Sequence, residues 1–447
     1  MTAGARESEE ESMRICVVAL GKIGLPLAVR FAGAGHTVVG ADASQRVVDA
    51  VNDGAEPFPG EHLLADRLKE AVAAGRLRAT VDTASAVAES DAVVLVVPVF
   101  VTSTGEPDFT WMDSATRDVA AGLRRGTLVS YETTLPVGTT RKRWAPMLED
   151  GSGLMAERDF SLVFSPERVL TGRVFADLRR YPKLIGGIGP ESARRGAAFY
   201  ASVLDFDERT DLPRPNGVWD LGSAEAAELA KLAETTYRDV NIGLANQFAR
   251  FADRAGIDVE PVIEACNTQP YSHIHRPGIA VGGHCIPVYP RMYLWNDPQA
   301  SVVRAAREAN ALMPEYAVER LAEAYGELDG AQVLVLGAAY RGGVKETAFS
   351  GVFATVDALL AHGAEPYVSD PLYEAAELSA LGLPPYTGER VTAAVVQADH
   401  AGYRELGAAD LPYLRVLVDG RRVTVPELWR GVDRVVLGAP TEEAAPA

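Results

Sequence analysis

The sequence predicts an α/β protein: two Rossmann-like doubly wound domains joined by a central helical region with a long helix. Three observations point there. A β-branched apolar run, RICVVAL, opens onto GKIGLPLA and a second strand that ends in Asp42. From Ser223 to about Ala255 a helical pattern runs with no Pro and with Gly243 as its single glycine. A second alternation of strand and helix begins at AQVLVLG, residues 331–337. The expected divisions are 13–210 for the first Rossmann domain, 218–325 for the central helical region and 328–441 for the second Rossmann-like domain.

Taken in order, Arg14–Leu20 is the first strand and a helix follows through Phe31. HTVVGAD is the second strand, and a helix from Ser44 stops before Gly54. This β-α-β-α succession is the mark of a doubly wound parallel sheet. DAVVLVV, GTLVSYE and DFSLVFS supply later strands, while 57–60 and 102–107 read as loops. The polar, breaker-rich DERTDLPRPNG (207–217) marks a domain boundary. On the long helix Leu229, Leu232, Val240, Leu244, Phe248 and Phe251 recur at helical spacing. A helix of this length suits a bridge between domains or subunits better than the core of one small domain. Beyond it, a helix ends near Gly363, EPYVSD, RVLVD and RVVLGAP are strands, and the TEEAAPA tail reads as disordered.

Bulk properties bound the function. A chain of 447 residues exceeds one hydrophobic core, and 47% hydrophobic with 23% charged residues is ordinary globular composition. A net charge of -18 argues against nucleic acid or an anionic membrane as partner. A small phosphorylated ligand needs only a few local donors and stays open. Cys16, Cys266 and Cys285 cannot make a disulfide framework, which suits a reducing cytoplasm. The polar, acidic N-terminus has no apolar core of a signal peptide. The longest apolar run, 92–101, is too short for a bilayer and suits a buried strand. The expectation is a cytoplasmic protein with no membrane segment and no metal.

The first βα turn, Ala19-Leu20-Gly21-Lys22-Ile23-Gly24, keeps the G-x-G-x-x-G spacing with Ala in place of the first glycine. Gly21 lets the backbone approach a pyrophosphate, Gly24 lets helix pack on strand, and the helix N–H groups face the phosphates. Asp42 stands where an acid bonds the ribose hydroxyls and repels a 2′-phosphate, so NAD is favoured over NADP. The plainer alternative is a glycine turn in a ligandless Rossmann domain.

Cys285 ends the glycine-rich, non-periodic run Gly282-Gly283-His284-Cys285, ahead of Pro287. A loop thiol near a positive group loses its proton readily and becomes a nucleophile. A small buried hydrophobe is the alternative, and Cys16 within its strand reads as one. Lys231 lies among apolar residues, with Glu228 three before it and Thr235 four after. It is either a surface Lys paired with Glu228 or a partly buried ammonium that bonds a reacting oxygen. Glu167 in FSPERVLTG follows a strand end at the sheet edge where ligands sit; the alternative is a solvated loop carboxylate.

Together these segments resemble the UDP-glucose/GDP-mannose dehydrogenase family over about residues 13–440. The matching stretches are GKIGLPLAVRFAGAGHTVVGAD, YETTLPVGTTR, SPERVLTGR, AELAKLAETTYRDVNIGLANQ, GIAVGGHCIPV, LGAAYRGGVKETAFS and VDGRR. SPERVLTGR and GGHCIPV look most like the branch that oxidises UDP-N-acetylhexosamines. The resemblance implies an NAD-dependent nucleotide-sugar 6-dehydrogenase acting on UDP- or dTDP-glucose or a UDP-N-acetylhexosamine. It implies oxidation of the C6 alcohol to the acid through a thiohemiacetal and a thioester on Cys285. Lys231 would stabilise the oxyanion, Glu167 would activate the hydrolytic water and Thr134 would help hold that water, with Thr235 beside them. The implied cofactor set is Gly21, Lys22, Ile23, Gly24, Asp42, Pro98 and Thr134. The implied substrate set is Glu167, Arg168, Lys231, Gly282, Gly283, His284, Arg341 and Arg421, the two C-terminal arginines suiting phosphate recognition. A homodimer or higher homo-oligomer is expected through the long helix.

The sequence also departs from the family. Tyr289 stands four residues after Cys285 where the family has Asp, Thr235 stands where it has Asn, and Ala348 where it has an NAD-contacting Arg. Tyr289 is no carboxylate base at neutral pH, and Thr235 offers a shorter reach. They motivate a second reading, an enzyme limited to a two-electron oxidation. A third, a catalytically silent NAD or nucleotide-sugar binding protein, is opposed by the retained Cys285, Lys231 and Glu167.

Overall fold

The computed structural model describes residues 12–102 and 104–440; the N-terminal stretch up to residue 11 and the TEEAAPA tail lie outside the described residues. The chain divides into two compact units between Ala233 and Glu234. The strands of the first are β1 (Arg14–Val18), β2 (Thr37–Ala41), β3 (Leu77–Thr80), β4 (Ala92–Leu95), β5 (Phe100–Val101), β6 (Pro107–Asp108), β7 (Leu128–Tyr131), β8 (Ser161–Phe164), β9 (Lys183–Gly187) and β10 (Val218–Asp220). All except β5 and β6 join one sheet, ordered β10-β9-β8-β7-β4-β1-β2-β3. The run β3-β2-β1-β4-β7-β8 is Rossmann order, with the winding reversing between β1 and β4. β4, β7 and β8 are buried along their whole length, which explains their apolar runs without alternation.

Two details differ from the sequence reading. The stretch 102–107 is not all loop, because β5 pairs antiparallel with β6 and holds Val101 against Pro107. The sheet is not parallel throughout, because β9 runs antiparallel to β8, with Phe164 opposite Gly186, and β10 then follows β9 in parallel. The connection from β8 to β9 carries the 7-residue helix Val174–Arg180, and the chain enters β9 from the carboxyl end of the sheet. The reversal matters for the site. It sets the first residue of β9, Lys183, beside the carboxyl ends of β7 and β8.

The second unit contains β11 (Gln332–Leu336), β12 (Glu365–Ser369), β13 (Ala393–Val396), β14 (Val416–Asp419) and β15 (Asp433–Val436). They form a parallel sheet ordered β12-β11-β13-β14-β15, so the winding reverses between β11 and β13. Val333 and Val335 enter one core cluster while Leu334 and Leu336 enter another. Both faces are therefore covered, and each such side chain contributes about 1.5–3 kcal/mol on burial.

The long helix spans Ala224–Ala255, 32 residues. Gly243 allows a neighbour to pack tightly, since a Cβ there would lie 3.1 Å from Ala306. Around it Asp239 is buried and bonded to Arg307 and Asn310. Among the described residues no helix is long and apolar enough to cross a membrane.

Candidate active site

The turn after β1 is built for close backbone approach. Ala19 occupies the left-handed region, φ 75°, the conformation that the fingerprint usually gives to glycine. A Cβ on Gly24 would sit 1.9 Å from the Ala19 carbonyl oxygen, so no side chain fits where the helix Gly24–Gly33 crosses the strand. A Cβ on Gly21 would meet nothing within 4 Å, so packing does not demand glycine there and the backbone lies open to close approach. No N-cap side chain closes the helix that follows. Half-buried Asp42 accepts hydrogen bonds from the N–H groups of Leu20 (2.8 Å) and Ser44 (2.9 Å). The turn and the acid at the end of β2 are thereby tied together. Lys22 and Ile23 lie within this turn, and Pro98 follows β4 across the switch point. The hydroxyl of Thr133 donates to the Val97 carbonyl at 2.7 Å, which seats the turn carrying Thr134, a buried residue, beside the end of β4.

At the carboxyl ends of β7 and β8 the structure brings together Glu132, Glu167, Lys183 and Lys231. Lys183 Nζ lies 2.8 Å from Glu132 and also bonds Glu167. The Tyr200 hydroxyl donates to Glu132 at 2.6 Å. Burial alone raises the Glu167 carboxyl, but the charge of Lys183, a hydrogen bond from Glu132 and the charge of Lys231 outweigh it and hold Glu167 below the usual carboxylate range. Glu132 goes the other way. Burial drives it well above the ordinary carboxyl value, with Glu167 adding and Lys183 opposing. The solvated-loop reading of Glu167 is thus overturned, and so is the surface-lysine reading of Lys231, which is 8% exposed. Glu228 faces elsewhere, taking bonds from Gly138 and Thr140. Arg168 is turned along the same edge, over the Tyr181 ring at 5.9 Å.

In the second unit the loop before Cys285 is fastened along its length. Gly278 N–H donates to Asn246, Ile279 N–H to the Gly420 carbonyl and Gly283 N–H to the Ala348 carbonyl. A Cβ on Gly282 would stand 2.5 Å from Tyr340 Cβ, and Gly283 has φ 90°. Both glycines are therefore required where the loop folds over Tyr340. His284 contacts Glu346 at 3.3 Å. Cys285 is exposed, and its carbonyl accepts the N–H of Tyr289 at 2.9 Å. Arg421 bonds the carbonyls of Gln397 (2.8 Å) and Tyr340 (3.4 Å), and Arg341 follows Tyr340. So Gly282, Gly283, Arg341 and Arg421 gather around Tyr340 at the switch point between β11 and β13. Thr235 is fully buried on the long helix.

Sequence reasoning missed Glu132, Lys183 and Tyr340. Glu132 sits directly after an apolar strand, a usable signal. Lys183 gave none, because its burial follows from the reversed strand.

A Rossmann sheet with this turn and acid, and an exposed thiol on a second Rossmann-like unit, defines an NAD-dependent dehydrogenase. Comparison with known proteins narrows the class. Residues 13–204 match the NAD binding domain of the UDP-glucose/GDP-mannose dehydrogenase family, and residues 225–311 match its central domain. The UDP-N-acetyl-D-mannosamine dehydrogenase of Pyrococcus horikoshii is 34% identical over 94% of this chain and 99% of its own. That of Methanocaldococcus jannaschii is 30% identical over 95% and 96%. Among solved structures, the Pyrococcus horikoshii UDP-D-ManNAc dehydrogenase superposes with a TM-score of 0.85 at 33% identity, covering 95% of this chain and 99% of that one. A UDP-glucose dehydrogenase from Pyrobaculum islandicum gives 0.81 at 26%, covering 95% and 100%. The chain belongs to the UDP-glucose/GDP-mannose dehydrogenase family, and NAD is its cofactor.

Proposed function

We propose that this chain oxidises the C6 alcohol of a nucleotide-activated hexose to the uronic acid, and that a UDP-N-acetylhexosamine is its substrate. The relatives named UDP-N-acetyl-D-mannosamine dehydrogenase support that sugar class. The observation that carries the chemistry is the exposed Cys285 thiol at the end of a loop pinned at Gly278, Ile279 and Gly283. Gly21, Lys22, Ile23, Gly24, Asp42, Pro98 and Thr134 would hold NAD, which when bound supplies the oxidising power for two successive two-electron steps. The Cys285 sulfur bonds to the aldehyde carbon, and after the second oxidation it carries the acyl group as a thioester. Water then attacks the acyl carbon and the C–S bond breaks with its electron pair leaving on sulfur. Glu167 takes the proton of that water, Thr134 and Thr235 supply hydroxyls, and Lys231 stabilises the oxyanion. Arg341, Arg421, Arg168 and the Gly282-Gly283-His284 segment bind the substrate. In this reading 13–210 is the NAD-binding domain, 218–325 the dimerisation region and 328–441 the nucleotide-sugar domain.

The test is to count NADH per product with UDP-N-acetyl-D-mannosamine, UDP-GlcNAc, UDP-glucose, dTDP-glucose and GDP-mannose. Two NADH per acid is expected, with an N-acetylhexosamine turned over fastest. One NADH per released aldehyde would instead support the two-electron reading that Tyr289 and Thr235 motivate. No turnover with any of the five would leave a binding protein.

A further inference from the structure

The buried groups behind Glu167 extend its proposed role in hydrolysis, on which the following inference rests. Lys183 Nζ stands between two carboxylates, 2.8 Å from Glu132 Oε2 and in contact with Glu167 Oε1. Glu132 Oε1 accepts the Tyr200 hydroxyl, which meets the Ser130 hydroxyl at 2.6 Å. The Lys183 ammonium also lies 4.6 Å from the centre of the Tyr200 ring. Glu132, Lys183, Ser130 and Tyr200 are all buried, while the Glu167 side chain is 10% exposed. The groups that face Glu167 are therefore Glu132 from the end of β7, Lys183 from β9 and Lys231 from the long helix, with Tyr200 behind Glu132.

Two carboxylates on one ammonium repel each other when both are ionised, so such a pair holds one proton between them. The arrangement is asymmetric. Glu132 is fully enclosed with a hydroxyl donor at its far oxygen, while Glu167 alone reaches solvent and a second cation. A buried ion pair is also weak evidence for stability, since apolar side chains of similar size fill such space as well or better. Fastening β7, β8 and β9 together does not by itself require a lysine and two glutamates.

We propose that Lys183 and Glu132 are positioning residues for thioester hydrolysis: Lys183 fixes Glu167 as a carboxylate ready to take the proton of the attacking water, and Glu132 retains the proton that the pair shares. Glu167 then gains a proton only in the step itself, as the water oxygen bonds to the acyl carbon and the Cys285 sulfur departs with the C–S electron pair.

The experiment is a single-turnover study of the full chain with NAD and UDP-N-acetyl-D-mannosamine, following NADH and, by intact-protein mass, the acyl-enzyme. Lys183→Met should leave the first NADH within about threefold of wild type while slowing acyl-enzyme decay by roughly 100-fold, the usual worth of a positioned base. The acid limb of the decay rate should move to higher pH, because Glu167 has lost its nearest cation. Lys183→Arg should restore decay. Glu132→Gln, whose amide stands in for the protonated carboxyl, should leave the limb in place, whereas Glu132→Leu, which offers Glu167 no hydrogen bond, should move it to higher pH. Equal loss of both steps with an unmoved limb would reduce the cluster to scaffolding and overturn the proposal. If Lys183→Met does not fold, the Glu132→Leu limb decides, and an unmoved limb overturns it. Glu167→Gln is the control for the underlying role. Unchanged decay there removes that role and this proposal together, whereas acyl-enzyme accumulation there with unchanged Lys183→Met and Glu132→Leu variants removes this proposal alone.

Discussion

Thr140 donates both its N–H (2.9 Å) and its hydroxyl (2.7 Å) to the carboxylate of Glu228. Glu228 is fully buried, and burial raises its pKa from 4.5 to about 7 against these bonds and that of Gly138. A carboxyl raised in the folded state binds its proton more tightly than in the unfolded chain. The stability this contributes is complete below the unfolded pKa and is lost as pH rises to the folded one. The difference in unfolding free energy between wild type and Glu228→Gln should therefore shrink by on the order of 3 kcal/mol from pH 4.5 to about 7 and stay flat above. Denaturation at pH 5, 6, 7 and 8 checks this, and a gap independent of pH contradicts it.

The two Rossmann-like sheets carry matching acids with different fates. Asp42 after β2 is half-buried, whereas Asp370 after β12 is enclosed, accepting the N–H groups of Ala338 and Ala339 and contacting His400. With Leu372 N–H as a fourth partner, buried Asp370 has its acceptor sites filled, whereas Asp42, with two backbone partners, keeps acceptor sites for a ribose. Calorimetry should show one NAD per chain, and Asp42→Ala should lose NAD affinity and most of the preference for NAD over NADP. Two equivalent NAD sites, or wild-type turnover equal with both cofactors, would contradict the assignment.

Gly24→Ala should be far more damaging than Ala19→Gly. The first places a Cβ 1.9 Å from a backbone oxygen and must separate helix from strand at the cofactor turn. A cost of about 1–3 kcal/mol and a large loss of NAD affinity are expected. The second relieves a left-handed alanine, φ 75°, worth roughly 1 kcal/mol, nearly offset by the entropy of the new glycine. Thermal unfolding and NAD titration of both variants test the contrast.

How far the sequence carried this result can be seen at these same positions. Strand, turn, helix and acid around Ala19–Asp42 were legible because each step has its own local signature. That Cys285 lies in an irregular loop was legible from the glycines before it, and the structure adds that both glycines lie against Tyr340. Lys183 was not legible. KLIGG is a short apolar strand with two glycines, and nothing local states its direction. Yet its reversal brings an ammonium to Glu167 and Glu132. The choice between a paired surface Lys231 and a buried one was equally a tertiary matter, settled by Glu228 turning to Thr140.

The apolar stripe on the long helix divides in the structure. Leu232 is fully buried, while Leu244, Phe248 and Phe251 remain 47%, 38% and 59% exposed. They follow one another at i, i+4 and i+7, one face of a helix. A homodimer through this face is expected, with Phe248→Glu combined with Phe251→Glu shifting the mass to the monomer in light scattering. A monomeric wild type at working concentration would contradict it.

The three cysteines offer the most direct test of the chemistry. Cys16 is fully enclosed in β1, and burial pushes its thiol up to about 12; Cys266 is half-buried and Cys285 exposed. Alkylation near neutral pH should label Cys285 first and spare Cys16, since the thiolate is the reacting species and needs access. NAD binding should survive the labelling while acid formation stops. Cys285→Ser should likewise nearly abolish acid formation, because a serine alkoxide forms less readily than a thiolate and its ester hydrolyses more slowly than a thioester. Cys16→Ser and Cys266→Ser should cost at most some stability. Near-normal two-NADH turnover by Cys285→Ser would show that no covalent step passes through this sulfur.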